Sequence, residues 1–216
     1  MSLFPSPQAS LTYPLPLAEK YRPHTIPDFI GLATPKKILA AFAQRPMVSA
    51  WVFVGPAGTG KTTMAQALAE TISGEFHHIP SQKCTAASID DIVRMCWYAP
   101  MRGTFHVVLV DEADRMSDGA QLALLSKLDS TAAPPQTIWI FTCNSTDGLE
   151  KRFLSRCRVL EFSSYGMRES LAELLQKVWQ AETGHANGID FTRLAKDSTN
   201  NVRDALMRLE LEILAS

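Results

Sequence analysis

The chain has 216 residues, 46% of them hydrophobic and 20% charged, with a formal net charge of −1 at pH 7. This is the composition of a folded protein with room for one large domain and a small one, and it excludes nucleic-acid binding through bulk positive charge, so any such contact has to come from a local patch. No run of 18 apolar residues exists, no basic segment precedes an apolar core at the N-terminus, and Cys84, Cys96, Cys143 and Cys157 lack C-x-x-C spacing; a membrane span, a signal peptide and a zinc site are not expected, and reduced thiols in the cytoplasm are.

Residues 1–18 carry Pro5, Pro7, Pro14 and Pro16 with few charges, the pattern of an extended or disordered arm. Residues 19–162 alternate apolar runs with amphipathic stretches, which predicts a parallel sheet between helices. Strands are expected at 51–54, 76–79, 105–110, 138–142 and 158–162, and helices at 36–44, 61–72, 89–98, 118–128 and 148–153. Residues 163–216 show no strand pattern. Helices are expected there at 168–183, 190–198 and 202–214, with Thr183-Gly184 and Asn187-Gly188 as breakers. There is no internal repeat.

Two motifs carry chemistry. Residues Gly55, Pro56, Ala57, Gly58, Thr59, Gly60, Lys61 and Thr62 form G-x-x-x-x-G-K-T, placed after the run Trp51-Val52-Phe53-Val54 and before a helical stretch that opens with Thr63. This is a P-loop in its required strand–loop–helix setting. Its glycines let backbone N–H groups approach phosphate oxygens, and the helix points its positive end at the same anion. Lys61 supplies a point charge for the β- and γ-phosphates of a nucleotide, and Thr62 a hydroxyl for Mg²⁺. The second motif is Val107-Val108-Leu109-Val110-Asp111-Glu112-Ala113-Asp114, an apolar strand ending in carboxylates. The end of such a strand beside a P-loop is where this kind of sheet binds ligand. Asp111 is assigned to the metal and Glu112 to the water that attacks the γ-phosphate.

The D-E-A-D ending, with G-P-A-G-T-G-K-T upstream, resembles AAA+ ATPases. The opening Glu19-Lys20-Tyr21-Arg22-Pro23, followed by Asp28-Phe29-Ile30-Gly31, is similar to that of clamp-loader ATPases, the replication factor C small subunits and their bacterial counterparts. Phe141-Thr142-Cys143-Asn144 looks like sensor 1, Ser155-Arg156-Cys157 like the motif carrying the arginine finger, and Asn201-Val202-Arg203 like sensor 2. The likeness spans roughly residues 18–212. It implies an α/β P-loop AAA+ fold, a five-stranded parallel sheet between helices, followed by a small three-helix lid. It also implies that Tyr21, Arg22, Pro23 and Ile30 lie against adenine. Asn144 would sit between nucleotide and nucleophile, Arg156 would reach a neighbouring subunit's γ-phosphate, and Arg203 would bring the lid onto its own nucleotide. Other AAA+ subunits, a sliding clamp and primed DNA are the partners the resemblance implies.

The sequence departs from that family in two places. A helical collar domain follows the lid in clamp-loader subunits, and this chain stops at Ser216, whether naturally or by truncation. Leu125-Ser126 stands where paired arginines linked to DNA sensing often lie, leaving Arg94, Arg102, Arg115 and Lys127 as a small basic patch. Two readings of the whole stay open: an ATP-hydrolysing motor that remodels a DNA-bound partner, or a nucleotide-gated binding subunit with little turnover that presents Arg156 to a partner. Cys143 reads as core and Cys157 as having no catalytic role. Because neighbouring strand residues face opposite ways, His77 and His78 read as partly exposed residues rather than ligands. Trp97-Tyr98 reads as a helix end with one residue in the core and one at the surface.

Overall fold

A computed structural model describes residues 15–129, 132–185 and 188–215. Five strands, β1 (Ser49–Val54), β2 (Glu75–Pro80), β3 (His106–Asp111), β4 (Thr137–Cys143) and β5 (Arg158–Glu161), pair in parallel in the order β2-β3-β4-β1-β5. The three central strands are apolar at consecutive positions because both sheet faces are covered. Alternate side chains divide between two cores. Val52, Val108, Val110, Trp139 and Phe141 pack on one face with helices α4 (Ala86–Cys96), α5 (Asp118–Leu128) and α6 (Lys151–Leu154). Phe53, Val107, Leu109, Ile138 and Ile140 pack on the other with α2 (Ala33–Gln44) and α3 (Lys61–Thr71).

Helices α7 (Arg168–Thr183), α8 (Phe191–Asp197) and α9 (Val202–Ala215) build a third core around Leu171, Leu175, Trp179, Ala205 and Leu209. The first 14 residues of the predicted arm lie outside the described residues. Its end is not extended: α1 (Leu17–Lys20) is a single helical turn whose Leu17 is buried in this third core. The Leu17 N–H also donates to Glu210 Oε1 at 3.2 Å.

The element ends differ from expectation where side chains intervene. Helix α2 begins at Ala33 rather than residue 36 because Pro35 is tolerated in a first turn. Helix α4 begins at Ala86 because Thr85 and Ser88 cap each other: Ser88 N donates to Thr85 Oγ1 at 3.2 Å and Thr85 N to Ser88 Oγ at 2.8 Å. Helix α6 is short because buried Gln121 holds the preceding loop, donating to the Gly148 carbonyl at 2.9 Å and accepting from Glu150 N at 2.9 Å. Trp97 is not a core residue. It is 58% exposed and Tyr98 73% exposed, because α4 ends at Cys96 and the chain turns outward there.

Candidate functional site

The P-loop joins β1 to α3 at the carboxyl edge of the sheet, where β1 lies between β4 and β5. Two of its glycines are required by close approach. A Cβ on Gly55 would lie 2.1 Å from the Phe162 carbonyl oxygen, and one on Gly58 (φ 75°) would lie 1.9 Å from Asn201 Oδ1 at the start of α9. The loop is thus held between the end of β5 and the lid.

Lys61, only 9% exposed, donates from Nζ to the Gly55 carbonyl at 2.6 Å, the Pro56 carbonyl at 2.9 Å and Asn144 Oδ1 at 3.2 Å. Burial lowers its pKa from the ordinary lysine value; Cys143, Asp111 and Asp114 oppose the shift and Arg203 adds to it. Thr62 Oγ1 donates to Asp111 Oδ1 at 2.9 Å, and Thr142 Oγ1 donates to the same oxygen. Parallel pairing of β3 with β4 brings this about, since it sets Val110 beside Phe141 and carries the two strand ends out together. Glu112 takes a left-handed conformation (φ 54°), uncommon for a residue with a side chain, and its N–H donates to Thr142 Oγ1 at 3.2 Å. That turn takes the chain off the sheet directly after Asp111. The Glu112 carboxylate is half exposed and lies 3.3 Å from Arg115. Asn144 N donates to Asp114 Oδ2 at 3.4 Å, while Asp114 Oδ1 is buried with no hydrogen-bond partner among the described residues.

These groups line a cleft of about 180 Å³ that includes Gly58, Gly60, Lys61, Thr62, Asp111, Glu112, Asn144 and Arg203. A second, apolar cavity of about 110 Å³ adjoins it, lined by Tyr21, Pro23, Ile30, Met167, Leu174 and Leu206 among others. Gly58, Gly60, Thr63 and Arg203 border both, so the two form one polar–apolar groove between sheet and lid. Arg22 is fixed at its margin, donating from Nε to Thr63 Oγ1 at 3.2 Å. Tyr21 presents its ring to the cavity and donates its hydroxyl to Glu182 Oε1 at 2.5 Å. Burial, then the Glu182 hydrogen bond and charge, push the Tyr21 pKa up to about 12.

Arg156 stands apart from this groove, beside Ala50, Lys127 and Trp139. Its Nε and Nη2 donate to Asp129 at 2.8 and 3.4 Å, and Nη1 to the Arg152 carbonyl at 2.8 Å. Of the four basic residues expected to form a patch, Arg94, Arg115 and Lys127 each lie within 4 Å of a carboxylate, those of Asp91, Glu112 and Asp90. Cys143 is buried as expected, and burial pushes the Cys157 thiol up to about 12, unlike a reactive thiolate. The sequence did not single out Thr142, Asp114, Glu182 or the Asn201 side chain as parts of the site. Thr142 and Asn201 lay inside recognised motifs and were legible as neighbours; nothing near Glu182 in the chain marks it.

The donor set around Asp111 suits a hard divalent cation: a carboxylate oxygen and a hydroxyl oxygen already in contact. A phosphate group fits the adjoining loop, which leads into the N-terminus of α3 and carries the Lys61 ammonium.

The chain is similar to known proteins at three levels. The family described as "ATPase family associated with various cellular activities (AAA)" matches residues 51–165. The replication factor C small subunit of Methanothermobacter thermautotrophicus is 30% identical over 154 residues, 68% of this chain and 47% of that protein. Replication factor C small subunit 1 of Pyrobaculum arsenaticum is 30% identical over 204 residues, 91% of this chain and 60% of that protein. The chain therefore spans between about half and three fifths of the curated relatives it matches. Among solved structures, the Thermotoga maritima RuvB Holliday junction branch migration motor superposes with a TM-score of 0.71 at 22% identity, covering 88% of this chain and 64% of that one. That likeness supports the α/β P-loop fold alone. The family match extends over more than half of the chain and coincides with the sheet that carries Lys61, Asp111 and Asn144, so the chain belongs to the AAA ATPase family.

Proposed function

We propose that this chain is an ATP-binding and ATP-hydrolysing module of clamp-loader type, which remodels a DNA-bound partner together with neighbouring AAA subunits. The observation that carries the reading is the continuous groove: a Lys61–Asn144 and Thr62–Asp111 constellation next to an apolar slot under Tyr21, Pro23 and Ile30. That is the shape and polarity of a nucleoside triphosphate, base in the slot and phosphates at the loop. Residues 19–162 would form the nucleotide-binding domain and 163–216 the lid.

In this mechanism Tyr21, Pro23 and Ile30 hold the base, and the P-loop amides with Lys61 hold the phosphates. Thr62 and Asp111 would hold Mg²⁺, which when bound offsets negative charge on the phosphate oxygens. Glu112 orients the attacking water and accepts its proton, leaving its pairing with Arg115 to do so. Asn144, already bonded to Lys61, accepts from that water or donates to phosphate. Arg203 borders both parts of the groove and ties the lid to the γ-phosphate. Arg156 points away from its own groove, which suits a role on a neighbour's nucleotide, where it offsets charge in the transition state. The Glu112–Arg115 pairing also favours a second reading, a nucleotide-gated subunit with little turnover that supplies Arg156 to a partner ATPase.

Steady-state ATP hydrolysis at increasing chain concentration, with and without primed DNA, separates the two. The first reading expects specific activity to rise with concentration and with DNA, and Arg156→Ala to remove the rise at nearly unchanged ATP affinity. Tight ATP binding with no turnover at any concentration selects the second reading. A rate that ignores concentration, DNA and Arg156→Ala alike contradicts the assembly-dependent mechanism.

A further inference from the structure

At the opposite end of β3 from Asp111, roughly 17 Å along the strand at about 3.3 Å per residue, lies a cluster that the nucleotide site does not use. His77 on β2, Cys96 at the end of α4 and His106 at the start of β3 bring one nitrogen, one sulfur and one nitrogen within 4.8 Å of one another. Glu75 joins them. It is paired with His106 in the β2–β3 register, shares a strand face with His77 two residues on, and places Oε2 3.8 Å from His106 Nδ1. Cys96 and His106 are buried, and His77 is half-buried.

The hydrogen bonds around the cluster fix its chemistry. His106 Nε2 lies 3.0 Å from the Tyr98 carbonyl oxygen, which can only accept. Nε2 therefore carries the proton, and Nδ1 turns a lone pair inward, toward His77 Nε2 at 3.0 Å. A histidine held by a carbonyl on one nitrogen and open on the other is the arrangement that orients imidazole metal ligands. Two imidazoles, a thiol and a carboxylate match the preferences of Zn²⁺, whose tetrahedral bonds of about 2.0–2.3 Å set ligand atoms some 3.3–3.8 Å apart. The His77, Cys96 and His106 ligand atoms need to close by about 1 Å to meet that spacing, and Glu75 stands beside His106 as the fourth donor.

We propose that His77, Cys96, His106 and Glu75 form a structural Zn²⁺ site, distinct from the nucleotide's Mg²⁺ site. On binding, the Cys96 thiol loses its proton to solvent, and His77 moves its own from Nε2 to Nδ1, so one proton is released per ion. The ion ties down the loop between α4 and β3, because the same ligand set already grips it twice. His106 holds the Tyr98 carbonyl, and Glu75 Oε2 accepts from Met101 N at 2.6 Å. That loop carries the exposed Trp97, Tyr98 and Met101.

The test is a Co²⁺ titration of the whole chain after chelator dialysis, with excess Mg²⁺ present. One equivalent should bind with a thiolate-to-cobalt charge-transfer band, and Zn²⁺ should displace it. Cys96→Ser should abolish the band while Cys143→Ser keeps it. His77→Gln, at a half-buried position, should fold and weaken Co²⁺ binding at least about tenfold. No band in the wild type, a band that survives Cys96→Ser or disappears with Cys143→Ser, or unchanged affinity in His77→Gln would each overturn the site. If Cys96→Ser does not fold, the affinities of His77→Gln and Glu75→Gln decide.

Discussion

Replacing Tyr21 with phenylalanine deletes one hydroxyl and keeps the ring that faces the apolar cavity. With Lys20, the hydroxyl links the segment leading into the nucleotide groove to helix α7 of the lid, through Glu182. A hydrogen bond to a charged acceptor contributes about 1.5–3 kcal/mol net. Here Glu182 is 20% exposed and keeps Lys20 Nζ at 2.8 Å, so its carboxylate is not left without a partner. The expected loss falls below that range, at about 1–1.5 kcal/mol, or roughly five- to tenfold in the equilibrium for the lid opening. Hydrogen exchange read by mass spectrometry should show faster exchange in α1 and the C-terminal half of α7, with the central strands unchanged. The link also has a pH signature. Its tyrosine pKa is raised from 10.0 to about 12. The stabilisation is therefore fully present below pH 10 and is lost as pH rises through about 12; Tyr21→Phe should lack that step. Identical exchange in wild type and Tyr21→Phe would show that the Tyr21–Glu182 bond does not hold the lid to the groove.

Lys61→Ala removes the buried ammonium that bridges the P-loop carbonyls to Asn144, and ATP affinity in a calorimetric titration should fall at least about 100-fold, given charge-assisted contacts to phosphate worth several kcal/mol. Arg203→Ala should leave the fold intact and abolish any difference between ATP and ADP in protecting α9 from exchange, since Arg203 lies on the groove at that helix's start. Leu171→Ala empties a fully buried position in the lid core; about 2–5 kcal/mol should be lost in denaturant unfolding, enough to detach the lid before the sheet melts.

Legibility in the sequence followed the range of the interaction. The P-loop and the end of β3 each lie within a few consecutive residues, and their chemistry fixes spacing, so Lys61, Thr62, Asp111 and Glu112 could be singled out as candidates before any fold existed. The three central strands were readable because a doubly covered sheet demands unbroken apolar runs, whereas the edge strands β2 and β5 show only short mixed ones. Contacts between distant segments left no such trace. Tyr21 meets Glu182 across 161 positions, and Gln121 decides where α6 begins from 27 positions before Gly148. His77 was set aside because its chain neighbour His78 faces the other way; its true neighbour is His106, brought there by strand pairing alone. The reading of the Trp97-Tyr98 pair as one core and one surface residue failed because α4 stops at Cys96 and leaves both exposed.

The most direct test of the account compares Glu112→Gln with wild type, measuring nucleotide affinity and single-turnover hydrolysis on the same preparations under assembling conditions. The amide keeps the shape of the side chain and cannot take the water's proton. ATP affinity should stay within about threefold of wild type while hydrolysis slows by about 100-fold or more, since general-base contributions run from about 10² to 10⁴. Wild-type turnover in Glu112→Gln would contradict the assignment of this groove as a hydrolytic centre built on Glu112.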